Sequence, residues 1–117
     1  MRIMIVDDNA LMRKEISKSV ALQTDTVLDC DDGETAVSCC LDFNPDWILM
    51  DIKMPKMNGI TAAEKIKGIM PHAKIAFVTS YDNLYFRRAA KSLDIEHYFI
   101  KTNLLEIRKV LDRDKQQ

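Results

Sequence analysis

The chain has 117 residues, 47% of them apolar and 30% charged, with a formal net charge of −1. That is the size of a single domain (1–117), with apolar material enough for a core, and the absence of a basic block removes any charge-based case for nucleic-acid or membrane-surface attachment. No apolar run approaches a membrane span, and Asp7-Asp8 interrupts the first one too early for a signal-peptide core, which predicts a cytoplasmic protein.

Arg2-Ile3-Met4-Ile5-Val6 is an apolar run of strand length that ends in Asp7-Asp8. From Asn9 to Gln23, Leu11, Met12, Ile16, Val20 and Ala21 recur at helical spacing. They predict an inward face, with Asp8 or Asn9 as cap and Arg13, Lys14 and Lys18 on the wet side. Thr26-Val27-Leu28 reads as a short second strand, and Asp31-Asp32-Gly33 turns the chain into a helix over Glu34–Phe43. Ala36, Val37, Cys40 and Leu41 face inward on that helix. Acids at a helix start favour its dipole, so Asp31 and Asp32 read as turn and cap residues rather than ligands.

Asn44-Pro45-Asp46 leads into Trp47-Ile48-Leu49-Met50, a buried strand that ends in Asp51, with Pro55 and Gly59 punctuating the loop beyond. A helix over Ile60–Met70 carries Ala62, Ala63, Ile66 and Ile69, is weakened by Gly68 and is stopped by Pro71. Lys74–Val78 forms a strand ending in Thr79-Ser80; a helix over Asp82–Ser92 and a strand over His97–Ile100, ending in Lys101, follow. The last helix, Asn103–Asp112, carries Leu104, Leu105, Ile107, Val110 and Leu111, and Lys115-Gln116-Gln117 is a polar tail. Strand–helix units repeated five times with short connections predict an α/β fold: a doubly wound parallel sheet of five strands covered by five helices.

In such a sheet the strand ends gather at one edge, where open α/β folds place their ligands. Here they bring an acid pair (Asp7, Asp8), an acid (Asp51), a hydroxyl (Thr79) and an amine (Lys101). Carboxylates crowded together repel and raise one another's pKa values. A hard divalent cation relieves this, and Mg²⁺ suits a few carboxylates plus water and phosphate oxygens. Lys101 adds a compact positive charge, Thr79 a hydroxyl for a phosphate oxygen, and a carboxylate can itself accept a phosphoryl group. Asp51, alone on its strand end, is the better nucleophile; the adjacent pair is better placed to hold metal. Unrelated strand-end polar residues would not be expected to fall in this order. The three cysteines, Cys30, Cys39 and Cys40, form no CxxC and read as reduced, packed thiols, and neither His72 nor His97 has ligand spacing.

Asp7-Asp8, Asp51-Ile52-Lys53-Met54-Pro55-Lys56-Met57-Asn58-Gly59, Thr79-Ser80 and Tyr98 three residues before Lys101 resemble the bacterial response-regulator receiver domain over essentially the whole chain. The resemblance implies a flavodoxin-like sheet of order 2-1-3-4-5. It further implies that Asp51 accepts a phosphoryl group from a sensor histidine kinase or phosphotransfer protein, and that Asp7, Asp8, Asp51 and the carbonyl of Lys53 hold Mg²⁺. Thr79 and Lys101 would bind the phosphoryl oxygens, and Thr79 and Tyr98 would form a switch read by an output domain, a partner or a second copy of the chain. The readout surface would be the helix over Asp82–Ser92 with Arg87, Arg88 and Lys91 exposed, the Tyr98 strand and the last helix. The stretch Val6–Lys14 is similar to receivers that precede a DNA-binding domain, which suggests transcription regulation with no nucleic-acid contact by this segment.

The chain departs from the family's pattern in places. Thr102 stands where proline, in a cis peptide, is usual; a cis bond there costs about 2.5–4 kcal/mol, so a trans peptide and an altered loop are expected. Ser92-Leu93-Asp94-Ile95-Glu96 replaces smaller residues, and Lys53 and Tyr81 occupy positions where the family varies phosphoryl lifetime. Trp47, the only tryptophan, is expected to report on the site by fluorescence. Two other functions compete with a signalling role that turns over no external substrate. A small Mg²⁺-dependent aspartyl-phosphate phosphatase of the haloacid-dehalogenase kind needs a second Asp where Lys53 stands. A constitutive protein-binding module has no need of the full acid, hydroxyl and amine set.

Overall fold

The computed structural model describes residues 1–115. Strands and helices alternate: β1 (Arg2–Val6), α1 (Ala10–Val20), β2 (Thr26–Cys30), α2 (Gly33–Phe43), β3 (Trp47–Met50), α3 (Gly59–Ile69), β4 (Ile75–Thr79), α4 (Leu84–Ser92), β5 (His97–Ile100) and α5 (Leu105–Lys115). Every strand pair is parallel and the order is β2-β1-β3-β4-β5, the flavodoxin-like doubly wound sheet that was expected. Of the expected polar tail, Lys115 belongs to α5 and Gln116-Gln117 lie outside the described residues.

The central strands are buried along nearly their whole length because helices cover both faces. Alternation then divides their side chains. Met4, Val6, Ile48, Met50, Ile75 and Phe77 pack under α2, α3 and α4 against Ala36, Cys40, Ala63, Ile66 and Ala90. Ile3, Ile5, Leu49, Ala76 and Val78 pack on the other face against Ile16 and Val20 of α1 and Ile107 and Leu111 of α5. Small residues under α2 and α3 let those helices sit close to the sheet.

Helix starts follow side-chain caps: Asn9, Asp32, Asn58 and Asn83 each accept the N–H of the residue three positions on. Asp32 is the expected cap of α2. Asn9, not Asp8, caps α1, which leaves the Asp8 carboxylate unused by the helix. Leu11 and Leu41, expected to face inward, are 75% and 61% exposed, and two further apolar helix residues, Ile69 at 42% and Leu105 at 72%, are exposed as well. Leu11 and Leu41 adjoin the inward positions Met12 and Cys40, and one residue along a helix is a rotation of about 100°. Ile69 sits in the last turn of α3 and Leu105 in the first of α5, where the apolar stripe no longer overlies the sheet.

Among the described residues every peptide is trans, including Lys101–Thr102. The chain makes a 3₁₀ turn over Lys101–Asn103, and α5 therefore starts at Leu105 rather than at Asn103. After α4, Asp94 takes a left-handed turn at φ 58 and Ile95 is buried beneath it, so the bulkier connection to β5 is accommodated. Among the described residues no helix is long and apolar enough to cross a membrane.

Candidate functional site

β1 and β3 run in register with Val6 opposite Met50, and pairing continues one residue past both. Asp51 N–H donates to Val6 O at 2.9 Å, and Asp7 N–H to Cys30 O at 3.1 Å. Asp7 and Asp51 therefore leave the sheet side by side, 1% and 3% exposed, with Asp8 exposed next to them. One carboxylate oxygen from each of Asp7, Asp8 and Asp51 lies within 4.8 Å of the others.

Lys101 follows Ile100, the register partner of Thr79. Its Nζ lies 2.8 Å from Asp7 Oδ2 and 3.1 Å from Asp51 Oδ2. Asp51 Oδ1 accepts the Ile52 N–H at 2.8 Å, and Asp7 Oδ1 accepts the Asn9 N–H at 2.9 Å. Burial pushes the Asp51 carboxyl up to about 6, the Asp7 charge adds to it, and Lys101 opposes both. Burial alone would lower Lys101, but its two carboxylate partners hold it above its ordinary value. The site's donors suit a hard cation. One lysine faces three carboxylates, and Asp7 Oδ2 is buried with charge contact to Lys101 but no aligned hydrogen bond.

The loop after Asp51 folds back onto the strand end. Lys56 at φ 67, with Met57 N–H donating to Pro55 O at 2.8 Å, makes a γ-turn, and Gly59 N–H donates to Ile52 O at 2.7 Å. A Cβ on Gly59 would lie 1.8 Å from Asp51 O. Only glycine lets α3 begin against the backbone of Asp51.

Thr79 and Tyr98 form a second group. Counting in twos along the strands, Asp7, Asp51 and Lys101 continue the face of Ile5, Leu49 and Phe99, whereas Thr79 and Tyr98 continue that of Phe77. Thr79 is fully buried, and its Oγ1 accepts the Tyr81 N–H at 3.2 Å. The Tyr98 hydroxyl donates to Tyr81 O. The peptide groups of one residue, Tyr81, thus join the two predicted switch residues. The Tyr98 ring meets Phe77 edge-on at 6.3 Å and carries the Arg87 guanidinium 4.5 Å above it. Arg87 Nε is 2.5 Å from Asp82 Oδ1, so it is exposed as expected but already engaged. Lys53 Nζ, two residues beyond Asp51, lies 4.6 Å from the centre of the ring of Tyr81, two residues beyond Thr79.

Two residues carry more than their sequence context suggested. Tyr81 acts through its backbone, which leaves no trace in residue type. Arg13, expected on the wet side of α1, turns back and donates from Nη1 to Asp7 O at 2.6 Å. Trp47 lies at the opposite end of β3, about 13 Å from Asp51 at roughly 3.3 Å per residue, packed on His97 at 5.5 Å. Its fluorescence therefore does not report directly on the site. Cys30 and Cys40 are buried, and burial pushes the Cys30 thiol up to about 12.

Residues 3–112 match the family model of the response regulator receiver domain. The chain is 37% identical over 84 residues to the transcriptional regulatory protein DegU of Brevibacillus brevis, covering 70% of this chain and 36% of that protein. It is 32% identical over 116 residues to the chemotaxis protein CheY of Treponema pallidum, covering 96% and 78%. The response regulator domain of Thermotoga maritima CheB superposes with a TM-score of 0.83 at 25% identity, over 99% of this chain and 94% of that one. The chain spans only about a third of DegU, so it corresponds to one part of such a regulator. With its strand order, its acid cluster and these matches, the chain belongs to the family of response-regulator receiver domains of two-component systems.

Proposed function

We propose that Asp51 accepts a phosphoryl group from a sensor histidine kinase or phosphotransfer protein, and that the product alters the Thr79–Tyr81–Tyr98 face to control an output domain or partner. The observation that carries this reading is a nearly buried carboxylate at a strand end, flanked by two further acids and one lysine, with its carboxyl pushed up to about 6. Such a group is costly to keep unless its charge is used.

At neutral pH Asp51 is ionised. One of its oxygens attacks phosphorus in line, the bond from phosphorus to the donor atom breaks, and its electron pair leaves with the donor. The product is an acyl phosphate; attack by water on phosphorus returns the carboxylate and inorganic phosphate. Asp7, Asp8, Asp51 and the carbonyl of Lys53 would hold Mg²⁺, which would supply neutralisation of charge on the phosphoryl oxygens. Lys101 moves its contact from the Asp51 carboxylate to a phosphoryl oxygen. The Thr79 hydroxyl donates to another, which draws on the hydroxyl that now accepts from Tyr81. Because Tyr81 also holds the Tyr98 hydroxyl, displacement of Thr79 is felt at Tyr98 and at Arg87 of α4.

The domain is a signalling device acting in the cytoplasm, and its α4–β5 side offers the surface for a phosphorylation-dependent contact with a second copy. The DegU relative supports an output in transcription. Intact mass with Mg²⁺ and a small phosphodonor tests the proposal: one added phosphoryl group, absent without Mg²⁺ and in Asp51→Asn, is expected. No adduct on a folded sample would leave the constitutive binding module as the better reading.

A further inference from the structure

We propose that Arg13 is the positioning residue of the metal-binding acid pair, setting Mg²⁺ affinity through the backbone of Asp7; the inference rests on the metal reading above. Arg13 lies in the first turn of α1, where the helix dipole disfavours a cation and where no acidic residue offsets it. Something must compensate, and the contacts show what. Arg13 Nη1 donates to Asp7 O at 2.6 Å, its Nε is 3.5 Å from Asp29 Oδ2 of β2, and its side chain is only 16% exposed.

The peptide between Asp7 and Asp8 is therefore gripped on its carbonyl side by Arg13, while the Asp7 N–H is fixed to Cys30 O at 3.1 Å. The two hydrogen bonds hold the peptides on either side of Asp7, and the orientation of the second sets the direction in which Asp8 leaves the chain. Asp8 is exposed and has no role as a helix cap, since Asn9 takes that role. Asn9 N–H, donating to Asp7 Oδ1 at 2.9 Å, ties the segment from the cap, and Arg13 Nη1 ties it from the body of α1, with Asp8 between them within 4.8 Å of Asp7 and Asp51. Asp29, which is half exposed, orients the guanidinium from the outer side without touching the acid cluster. Arg13 Nε is buried, makes no hydrogen bond and has only the ion-pair contact with Asp29 at 3.5 Å, so Nη1 to Asp7 O is the guanidinium's short hydrogen bond. A simple clamp between α1 and the sheet would affect stability alone; a positioning residue must also change how the acid pair receives a cation.

Calorimetric Mg²⁺ titration of the phosphate-free chain, paired with urea unfolding, separates these. Removing an outer-shell partner of a metal ligand costs about 10–100-fold in affinity, so Arg13→Met is expected to weaken Mg²⁺ binding at least about tenfold. Arg13→Gln, too short to reach Asp7 O but a good helix former, should show the same loss and decides the matter if Arg13→Met does not fold. Arg13→Lys restores one donor at the carbonyl and should recover most of the affinity. Affinity unchanged in the folded Met or Gln variant, or no recovery in the Lys variant, would overturn the assignment. A parent chain that takes up no Mg²⁺ would instead overturn the metal reading together with it.

Discussion

Replacing Asp51 by asparagine should make the metal-free domain more stable at neutral pH. The Asp51 carboxyl is pushed up to about 6 by burial and by Asp7, against an ordinary value of 3.8. That gap corresponds to about 3 kcal/mol of folding free energy lost once the group is ionised in both states. The sign follows from proton binding. Between the two values the folded chain keeps a proton that the unfolded chain has released, so stability falls as pH rises across that window and stays low above it. Asparagine has no charge to bury, and its one amide oxygen can accept from Lys101 Nζ or from Ile52 N–H but not replace both carboxylate oxygens, so the gain has an upper bound rather than a full value. Urea unfolding in chelator should therefore find Asp51→Asn more stable by up to about 3 kcal/mol at neutral pH, with the difference vanishing near pH 4. Mg²⁺ should reverse the order, because it stabilises the parent in proportion to its affinity and the variant much less. A variant less stable than the parent in chelator at neutral pH, or a difference indifferent to pH, would refute the reasoning.

Lys101→Ala removes the cation that opposes burial at Asp51, so the carboxyl should titrate above about 6 by carboxylate-resolved NMR, while phosphorylation no longer shifts the Tyr98 resonances; an unmoved titration would detach Lys101 from Asp51. Gly59→Ala forces a Cβ to within 1.8 Å of Asp51 O and should cost about 3 kcal/mol, whereas Gly68→Ala, with nothing within 4 Å, should gain up to about 1 kcal/mol in the same urea assay. Tyr81→Ala removes the ring that Lys53 covers between the loops that follow Asp51 and Thr79, and should shorten the phosphoryl lifetime severalfold by admitting water; an unchanged decay measured by mass would end that role.

Much of this was legible in the chain. Parallel strands buried on both faces read as unbroken apolar runs, so Arg2–Val6, Trp47–Met50 and the strand ending at Thr79 announced themselves, and the residue after each run fell at the working edge. Period and punctuation located the helices but not their inward faces, since Leu11 and Leu41 differ from buried neighbours by one residue. Residue types at the strand ends pointed to Asp7, Asp8, Asp51, Thr79 and Lys101, and the family resemblance pointed to Tyr98. They could not give the backbone of Tyr81 as the link between Thr79 and Tyr98, because a carbonyl and an N–H belong to every residue. Arg13 was hidden differently: a long cation on a helix reads as solvated until the structure shows where its end goes, although its place in a first turn without acids was a visible signal. Arg108, likewise on a helix, ends 2.5 Å from Asp25, which is 83 positions away.

The phosphoryl group itself gives the most direct test. After incubation with Mg²⁺ and a small phosphodonor, borohydride reduces an acyl phosphate to an alcohol and leaves phosphate esters of serine and threonine intact, so peptide mass mapping locates the acceptor. The expected result is a single reduced residue at Asp51, absent when Mg²⁺ is chelated. Reduction at Asp7 or Asp8, or a phosphate that resists borohydride, would contradict the assignment of Asp51 as the phosphoryl acceptor.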